Sequence, residues 1–424
     1  MDEGTEEKNL RTAYKYITKS IEDYLKSRLG KNSGSDKLKP ELTILRDKVL
    51  KLKVIFIDLD NEDDAYVVFE TLNARGKDLE VSDLVKSHVT KLWKVKNKRV
   101  DRAFDRWKEI SSILGAASKT ISIDDFLLHY WLSKHDSVSK ARLFGKIKTA
   151  ITKNNVEGFV TELKKEAEYY RILYDPEFGN WNKNEQAIFS SLKALTIFQV
   201  KQPMPLLLAG LSALRAKKIS VRNARILFSV IEKFHFIATA ILSQSSSGGT
   251  STLYSSMARS LRAASKDETG TLIRDFERKM RSKLPSEIEF VSSFTEIKYS
   301  DRFQKQKKLV QYILEKFDDF GNSSHQPIDY EKMTIEHIAA QNPRSGESLP
   351  DDSIANIGNL LFVSSHINEK LENKNFSAKK SIISRVTNNS TDHGLKMASI
   401  WDAVNIDLRA KSMGGFAYSQ IWKI

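Results

Sequence analysis

The middle of this chain, residues 99 to 320, is dominated by one pattern: apolar residues recur every three or four positions. This spacing places them on one face of an α-helix. Because so much helix-forming sequence cannot build a large sheet, we predict a mainly α fold with this region as a helical scaffold. The predicted helices are 99–114, 122–134, 138–153, 156–175, 182–198, 203–215, 219–242, 252–265, 268–282 and 301–318.

The two ends of the chain break this pattern. Helices are predicted over 6–30 and about 41–51, and the short, apolar, β-branched stretch Val54–Asp58 indicates a strand. After residue 321, short apolar pieces surround Ile335 and Leu360. Helices are then predicted at about 367–373, 377–387, 395–401 and 404–423.

The chain is strongly basic, with 68 Lys and Arg against 54 Asp and Glu and a net charge of +14. This excess favours a polyanionic partner, because Lys and Arg gain affinity by releasing counterions from phosphates. Basic clusters occur at 91–102, 278–283 and 305–308, although any one of them could be a solvated helix face. Aromatic residues are not interleaved with these clusters, so the sequence favours a duplex backbone over a stacked single strand.

Several classes of protein are excluded by composition. The chain has no cysteine, which rules out disulfides and Cys-ligated zinc or iron–sulfur sites. No apolar run reaches the ~18 residues that span a bilayer, and the acidic N-terminus lacks the apolar stretch of a secretory signal. We therefore expect no membrane association and a cytoplasmic protein.

The most informative motif lies near the carboxyl end. Thr334-Ile-Glu-His-Ile-Ala-Ala-Gln341 sets a carboxylate beside an imidazole, Asn359 follows His337 by 22 residues, and Asn368 comes nine residues later. On a strand, Glu336 and His337 point to opposite faces, so one could face a metal and the other a water if the strand twists or ends there. An oxygen ligand, an imidazole base and an amide are the usual components of a one-metal phosphodiesterase site.

Each of these residues also has a structural interpretation. Gly358-Asn359 is a turn dipeptide, and Asn368, which precedes Glu369-Lys-Leu, could cap a helix. His366 could be an ordinary surface residue. The joint spacing is more specific than any single residue and favours a nuclease domain.

The order and spacing of the motif resemble the HNH, or ββα-metal, nucleases. In those, an acid–His pair is followed by Asn-Leu and then by Asn or His. The wider pattern resembles the HNH domain of the GmrSD-type modification-dependent restriction enzymes. The further residues that carry this resemblance are Phe376, Lys379, Trp401, Ile406, Arg409, Met413 and Trp422.

The resemblance implies a role for each motif residue. His337 would be the general base that deprotonates water, and Asn359 would brace the loop that holds it. Glu336 would be the acidic metal ligand and Asn368 the second ligand, with His366 as a rival for that position. Mg²⁺ or Mn²⁺ fits oxygen ligands best, and a histidine ligand would also admit Ni²⁺ or Zn²⁺.

A second stretch resembles the N-terminal component of the same family: Phe69-Glu-Thr-Leu-Asn-Ala-Arg-Gly-Lys-Asp-Leu79, followed by Asp83-Leu-Val-Lys86. Arg75 and Lys86, near a helix end, are candidates for binding DNA phosphate, as are Lys374 and Lys379 in the C-terminal part. The alternative is that Arg75 and Lys86 are merely solvated.

The sequence departs from the family pattern at two places. Ala340 stands where the family has a proline that stiffens the exit from the strand. The Asp-Gly-Gln-Gln-Arg motif of a ParB-like fold, credited with NTP binding or hydrolysis, does not occur. Either the chain is a fragment, or that half is a separate polypeptide, or this branch acts without it, so NTPase activity is not carried over.

The sequence thus predicts three parts: a remnant of the N-terminal component at 1–98, the scaffold at 99–320 and a small ββα-metal (HNH-like) nuclease domain at 321–424. The predicted function is metal-dependent endonuclease cleavage of DNA in anti-phage restriction, with modified DNA as a candidate substrate. One alternative is a non-catalytic DNA-binding or sensor subunit that works with a separate ParB-like NTPase partner. Another is an RNase or a tRNA-cleaving toxin.

Overall fold

The computed structural model describes residues 5–30, 35–53, 80–93, 102–244, 248–321, 330–343, 349–386 and 393–424. The chain divides into two compact units, Met1–Asp78 and Leu79–Ile424. The predicted strand Val54–Asp58, the motif that begins at Phe69 and the candidate Arg75 lie outside the described residues. The domain boundaries at 98 and 320 stay predictions.

The described part of the first unit consists of two helices, α1 (Thr5–Leu29) and α2 (Ser35–Leu50). Glu41 of α2 joins them, because its Oε1 accepts hydrogen bonds from Tyr24 Oη at 3.0 Å and from Arg28 Nε at 3.1 Å. α2 begins before Pro40 and not after it as predicted, so the proline lies inside the helix and its missing N–H leaves one intrahelical hydrogen bond unmade.

The second unit contains the helical scaffold, and the prediction of a mainly α fold is confirmed. Most of the predicted helices are present to within a few residues. Their bounds are α3 (Val81–Leu92), α4 (Arg102–Gly115), α5 (Ile123–Lys134), α6 (Lys140–Ala150), α7 (Val156–Tyr174), α8 (Gln186–Phe198), α9 (Met204–Arg215), α10 (Val221–His235), α11 (Gly248–Ala263), α12 (Thr269–Arg281), α13 (Glu287–Phe294) and α14 (Lys307–Gly321).

Two differences from the predicted helices bear on the site described below. α13 was not predicted, although Ser286 and Glu289 form a capping box that is visible in the sequence as Ser-x-x-Glu. α14 begins at Lys307 and not at residue 301. The residues before α14 pair with a distant segment instead, since Tyr299 N donates to Ala355 O at 2.8 Å and Ile357 N donates to Ile297 O at 2.9 Å.

The scaffold core is centred on α9, which is apolar and buried on nearly all sides from Met204 to Leu214. A helix that is hydrophobic all round belongs in a core. Gly210 allows a close approach there, because a Cβ at this position would lie 3.0 Å from Leu227 Cδ2 and 3.3 Å from Phe228 Cε2.

A small sheet and further helices follow the scaffold. β1 (Met333–His337) and β2 (Leu360–Ser364) pair in antiparallel register, from Met333 opposite Ser364 to His337 opposite Leu360. The accompanying helices are α15 (Asp351–Ala355), α16 (Ser365–Leu371), α17 (Phe376–Val386), α18 (His393–Met397) and α19 (Ala403–Phe416). α16 follows β2 directly and packs against both strands.

The end of the chain anchors these elements to the scaffold. Trp422 stacks on Phe236 with 3.9 Å between ring centroids, and its Nε1 donates to Tyr312 Oη at 2.8 Å. Tyr312 Oη in turn donates to Glu232 Oε1 at 2.7 Å, and Lys316 Nζ lies 3.0 Å from the same oxygen. Burial alone would raise the pKa of Glu232, but Lys316 and the hydrogen bonds hold that pKa below its ordinary value.

In the part of the chain that the structure describes, no helix combines the length and apolar character that a membrane crossing needs.

A buried histidine makes the stability of the scaffold sensitive to pH. His235 is 1% exposed and lies between Tyr254 Oη at 2.9 Å and Thr239 Oγ1 at 3.0 Å. Burial lowers its pKa from 6.5 to about 4. Between these two pKa values the unfolded chain binds a proton at this histidine that the folded chain does not. The free energy of unfolding therefore falls as the pH falls.

We expect the free energy of unfolding of the natural protein, measured in urea, to fall by about 2 kcal/mol more between about pH 7 and about pH 5 than that of His235→Gln. Glutamine does not titrate and serves as the matched control. Equal losses in the two proteins would show that His235 is not held neutral by the fold.

Candidate active site

The segment Ile357–Asn359 forms a tight 3₁₀ turn that leads into β2. Asn356 caps it, because its Oδ1 accepts from Gly358 N at 2.8 Å and its Nδ2 donates to Thr295 O at 2.8 Å. A Cβ at Gly358 would clash with the backbone of Ile406 and Ala410 in α19. Glycine is therefore required where the turn lies directly against that helix.

Asn359 ties this turn to the loop that follows β1. Its side chain is fully buried and uses all of its hydrogen-bonding capacity. Oδ1 accepts from Ala339 N at 2.8 Å and from Trp401 Nε1 at 3.0 Å. Nδ2 donates to Ala339 O at 3.0 Å and to Ile354 O at 2.8 Å. The amide thus fixes the chain that leaves β1 to the chain that enters β2.

Arg409 of α19 holds the same turn from behind. The side chain is buried, and its Nη1 donates to Gly358 O at 2.8 Å and to Leu360 O at 3.0 Å. A guanidinium is well suited to this position because it offers several donors in a fixed plane. The backbone on both sides of Asn359 is therefore fixed by a side chain from the last long helix.

His337 ends β1 and is 6% exposed. Its Nε2 lies 2.9 Å from Tyr299 O, and a carbonyl can only accept, so Nε2 carries the proton. The lone pair is therefore on Nδ1. Gln341 Nε2 approaches Nδ1 at 3.4 Å, while Gln341 Oε1 accepts from Asp301 N at 3.0 Å.

The surroundings of His337 keep its ring neutral. Burial lowers the pKa of His337 below its ordinary value of 6.5, and Lys379 adds to this effect. The Tyr299 carbonyl and Asp301 oppose the shift only in part. A neutral imidazole with an unprotonated Nδ1 is chemically a proton acceptor at neutral pH.

Glu336 points away from His337, as expected for neighbours on a strand. Lys379 of α17 is fully buried, and its Nζ lies 2.5 Å from Glu336 Oε1 and 2.8 Å from His337 O. Burial raises the pKa of Glu336, and Lys379 opposes this shift. In this structure Lys379 balances a buried carboxylate and presents no charge to solvent, which does not favour its predicted contact with nucleic acid.

The two other candidate metal ligands lie in α16. Asn368 is half-buried and His366 is exposed. Ser364 caps this helix by accepting from Ile367 N at 3.4 Å, so the interpretation of Asn368 as the N-cap is wrong. Within the described residues, no three His, Cys, Asp or Glu side chains form a group that could hold a metal ion.

The remaining candidates for phosphate contact are separate from this cluster. Lys374 donates to Lys370 O at 2.6 Å at the end of α16. Lys86 lies in α3 of the scaffold, where its Nζ is 4.9 Å from the centroid of the Phe104 ring. Both side chains are half-buried, and their contact with nucleic acid stays a prediction.

Comparison with protein-family models gives two matches. Residues 284–415 match the C-terminal domain of GmrSD restriction endonucleases, and residues 2–90 match the N-terminal domain of a GmrSD restriction endonuclease. The chain belongs to the GmrSD restriction endonuclease family. The resemblance drawn from the sequence is confirmed, and membership supports a restriction endonuclease role in defence. A search of curated proteins returns no match.

The GmrSD C-terminal match includes both strands and most of the residues around His337. Sequence reasoning missed the partners of His337, namely Tyr299 and Gln341. Gln341 lies four residues after His337 but has no distinctive spacing. Tyr299 is distant in sequence and contributes only a carbonyl, which no sequence pattern reveals.

The Glu336–Lys379 pair can be tested through stability in this GmrSD chain. Lys379→Met leaves a buried carboxylate without its cation, and we expect a loss of about 3–5 kcal/mol in the free energy of unfolding. The double variant Lys379→Met/Glu336→Gln should recover more than half of that loss, because no uncompensated charge remains. Urea unfolding at neutral pH measures both.

Lys380→Met is the matched control for this experiment. Lys380 neighbours Lys379, and among the described residues its side chain donates one hydrogen bond, to Ala398 O at 2.6 Å, so its loss should cost about 1 kcal/mol. A Lys379 variant no less stable than this control would show that the buried ion pair is absent in solution.

Proposed function

We propose that this chain is an HNH-type, metal-dependent DNA endonuclease and that His337 is its general base. The observation that carries the proposal is the state of the imidazole. Nε2 donates to Tyr299 O at 2.9 Å, so the ring's lone pair is on Nδ1, where the Gln341 amide makes a long contact of 3.4 Å. A base of this kind needs a fixed tautomer and a pKa low enough to stay unprotonated.

The order of elements supports the HNH type. His337 ends β1, Asn359 immediately precedes β2, and Asn368 lies in the helix that follows β2. This is the strand–strand–helix order in which the ββα-metal resemblance places the base, the bracing asparagine and a ligand. Asn359 supplies the bracing through hydrogen bonds to Ala339 and Ile354.

The chemistry proposed for the chain is hydrolysis of a phosphodiester. His337 Nδ1 takes a proton from water, whose oxygen forms a bond to phosphorus as the ester oxygen on the far side leaves. The imidazole becomes a cation, and the Tyr299 carbonyl stabilises it by accepting the Nε2 proton in a hydrogen bond. Asp301 adds a favourable charge, since it raises the proton affinity of the ring.

A divalent ion, Mg²⁺ or Mn²⁺, is proposed as the cofactor, with Glu336 and Asn368 as ligands and His366 as the alternative. The donors fit such an ion, because they are a carboxylate and an amide oxygen. Asn368 has no side-chain hydrogen bond within the described residues, whereas Glu336 Oε1 is already bonded to Lys379. Bound there, the ion would neutralise negative charge on the phosphate and the leaving oxygen.

The proposed substrate is DNA, with modified DNA as the candidate target in anti-phage defence. The net charge of +14 supports a polyanionic substrate. Ala340, which replaces the family's proline, does not weaken the proposal, because Asn359 binds both backbone groups of the neighbouring Ala339.

A second candidate function is a non-catalytic DNA-binding or sensor subunit that acts with a separate ParB-like partner. One observation favours it: Lys379 already neutralises Glu336, so the carboxylate does not need a metal ion to balance its charge. Cleavage assays separate the two functions.

We expect His337→Ala to lower the rate of plasmid nicking in Mg²⁺ or Mn²⁺ by about 10²–10⁴-fold, because it removes the base. The nicking rate of the natural protein should rise with pH and level off, with its midpoint below 6.5, because His337 must lose its proton to act. His135→Ala, at an exposed histidine of the scaffold, is the matched control and should nick at the natural rate.

Three outcomes would decide against parts of the proposal. Equal nicking by His337→Ala and the natural protein rejects His337 as the base. Absence of cleavage with every metal and partner tried favours the binding subunit. Single-stranded RNA that is cut in preference to duplex DNA favours the RNase alternative.

A further inference from the structure

The segment around Tyr299, whose carbonyl accepts the hydrogen bond from His337, also lines a large cleft. The cleft has a volume of about 1010 Å³, and its lining residues fall within 118–119, 174–177, 193–199, 239–243 and 296–309. Tyr299 O accepts a hydrogen bond from His337 Nε2, while Lys298 and Arg302, on either side of Tyr299 in sequence, line the cleft. The cleft and the candidate base therefore share one short stretch of backbone.

The cleft is lined by an excess of cations. Its basic residues are Lys119, Lys193, Lys298, Arg302, Lys305 and Lys308, against the acids Asp175, Glu177 and Glu296. The excess matters because a concave surface of one sign concentrates ions of the opposite sign.

Half of these cations already have carboxylate partners. Lys193 pairs with Glu177 at 3.1 Å, Lys298 pairs with Asp352 at 3.1 Å, and Arg302 pairs with Asp351. These pairs hold side chains at the rim and leave little net charge.

The other half have no carboxylate partner within the described residues. Lys119 Nζ donates to the backbone of Thr196 at 3.2 Å, and Lys305 and Lys308 are exposed without an ion pair. They come from segments far apart in sequence, with Lys119 between α4 and α5 and the other two just before and at the start of α14. Ammonium groups that line one cleft and have no carboxylate partner there are suited to a ligand with charge along its length.

Aromatic side chains line the same cleft. Tyr174, Phe198 and Phe303 are half-buried there, although they are far from one another in sequence. The sequence shows no interleaving of aromatic and basic residues, yet folding brings the two kinds together. Aromatic faces beside cations are the features that bind bases and phosphates of an exposed strand.

We propose that this cleft binds the sugar-phosphate backbone of DNA, through Lys119, Lys305 and Lys308, and leads it to His337. The last clause rests on the proposed function, whereas the binding does not require cleavage. The basic cluster at 278–283 is a poorer candidate, because Arg278 and Arg281 are paired with Asp275 and Glu277 on the surface of a single helix.

The test measures binding in a full-length protein that carries His337→Ala, so that cleavage does not interfere. Fluorescence anisotropy with a labelled unmodified duplex, and with one of its strands alone, gives Kd over a range of salt. We expect Lys305→Ala/Lys308→Ala to weaken binding and to reduce the slope of log Kd against log salt by about two. Lys119→Ala, between α4 and α5, should reduce the slope by about one.

Lys279→Ala/Lys283→Ala is the matched control, since it removes two exposed lysines that do not line the cleft. It should leave affinity and slope close to those of the parent. A melting temperature for each variant shows that the fold is kept. Tighter binding of the single strand than of the duplex would assign the cleft to an opened strand, and the reverse would assign it to the duplex backbone.

The proposal is overturned if the cleft variants bind like the control, or if the parent does not bind DNA at all. These failures are distinct from failure of the proposed function. Nicking that depends on His337 but is accompanied by unchanged binding in the cleft variants would reject the cleft alone. Salt-dependent binding through the cleft in a protein that never nicks would reject the nuclease alone.

Discussion

The buried amide of Asn359 is the interaction on which the geometry of the candidate site depends. Two of its hydrogen bonds go to one residue, Ala339, on the loop after β1, and the others go to Ile354 and Trp401. Aspartate has the same shape but lacks the donors, and alanine would leave buried backbone groups unpaired at about 1–3 kcal/mol each. Only asparagine at position 359 can therefore make all of the hydrogen bonds that hold the chain leaving β1 against the chain entering β2.

Asn359 fixes the loop that follows β1, and a second set of contacts fixes the His337 side chain at the end of β1. Tyr299 holds the ring of His337, and the backbone of Tyr299 is itself bonded to Ala355, just before the turn. Arg409 fixes the turn from α19, and Trp422, beyond that helix, joins a buried network with Tyr312 of α14. The imidazole is thus positioned by elements spread over more than a hundred residues, which explains how a two-stranded sheet stays ordered without a metal-binding cysteine cluster.

Much of the fold follows from sequence because it is local. Amphipathic periodicity predicts most scaffold helices, and the joint spacing of Glu336, His337 and Asn359 indicates the family and the strands that carry the motif. The parts that sequence cannot give are long-range. Lys379 looks like a basic surface residue, and only the packing of α17 on β1 shows that it neutralises Glu336. The extended stretch before α14 resembles a helix start until its pairing with residues 355–357 is known.

The proposed role of His337 as a base depends on the protonation state of its ring. Protein labelled with ¹⁵N at its eight histidines, compared with His337→Ala to assign the missing signals, reports which ring nitrogen carries hydrogen. At about pH 7 we expect a neutral ring, protonated at Nε2 and unprotonated at Nδ1. A ring protonated at Nδ1, alone or together with Nε2, would contradict it, because no lone pair would then remain to receive the proton of a water.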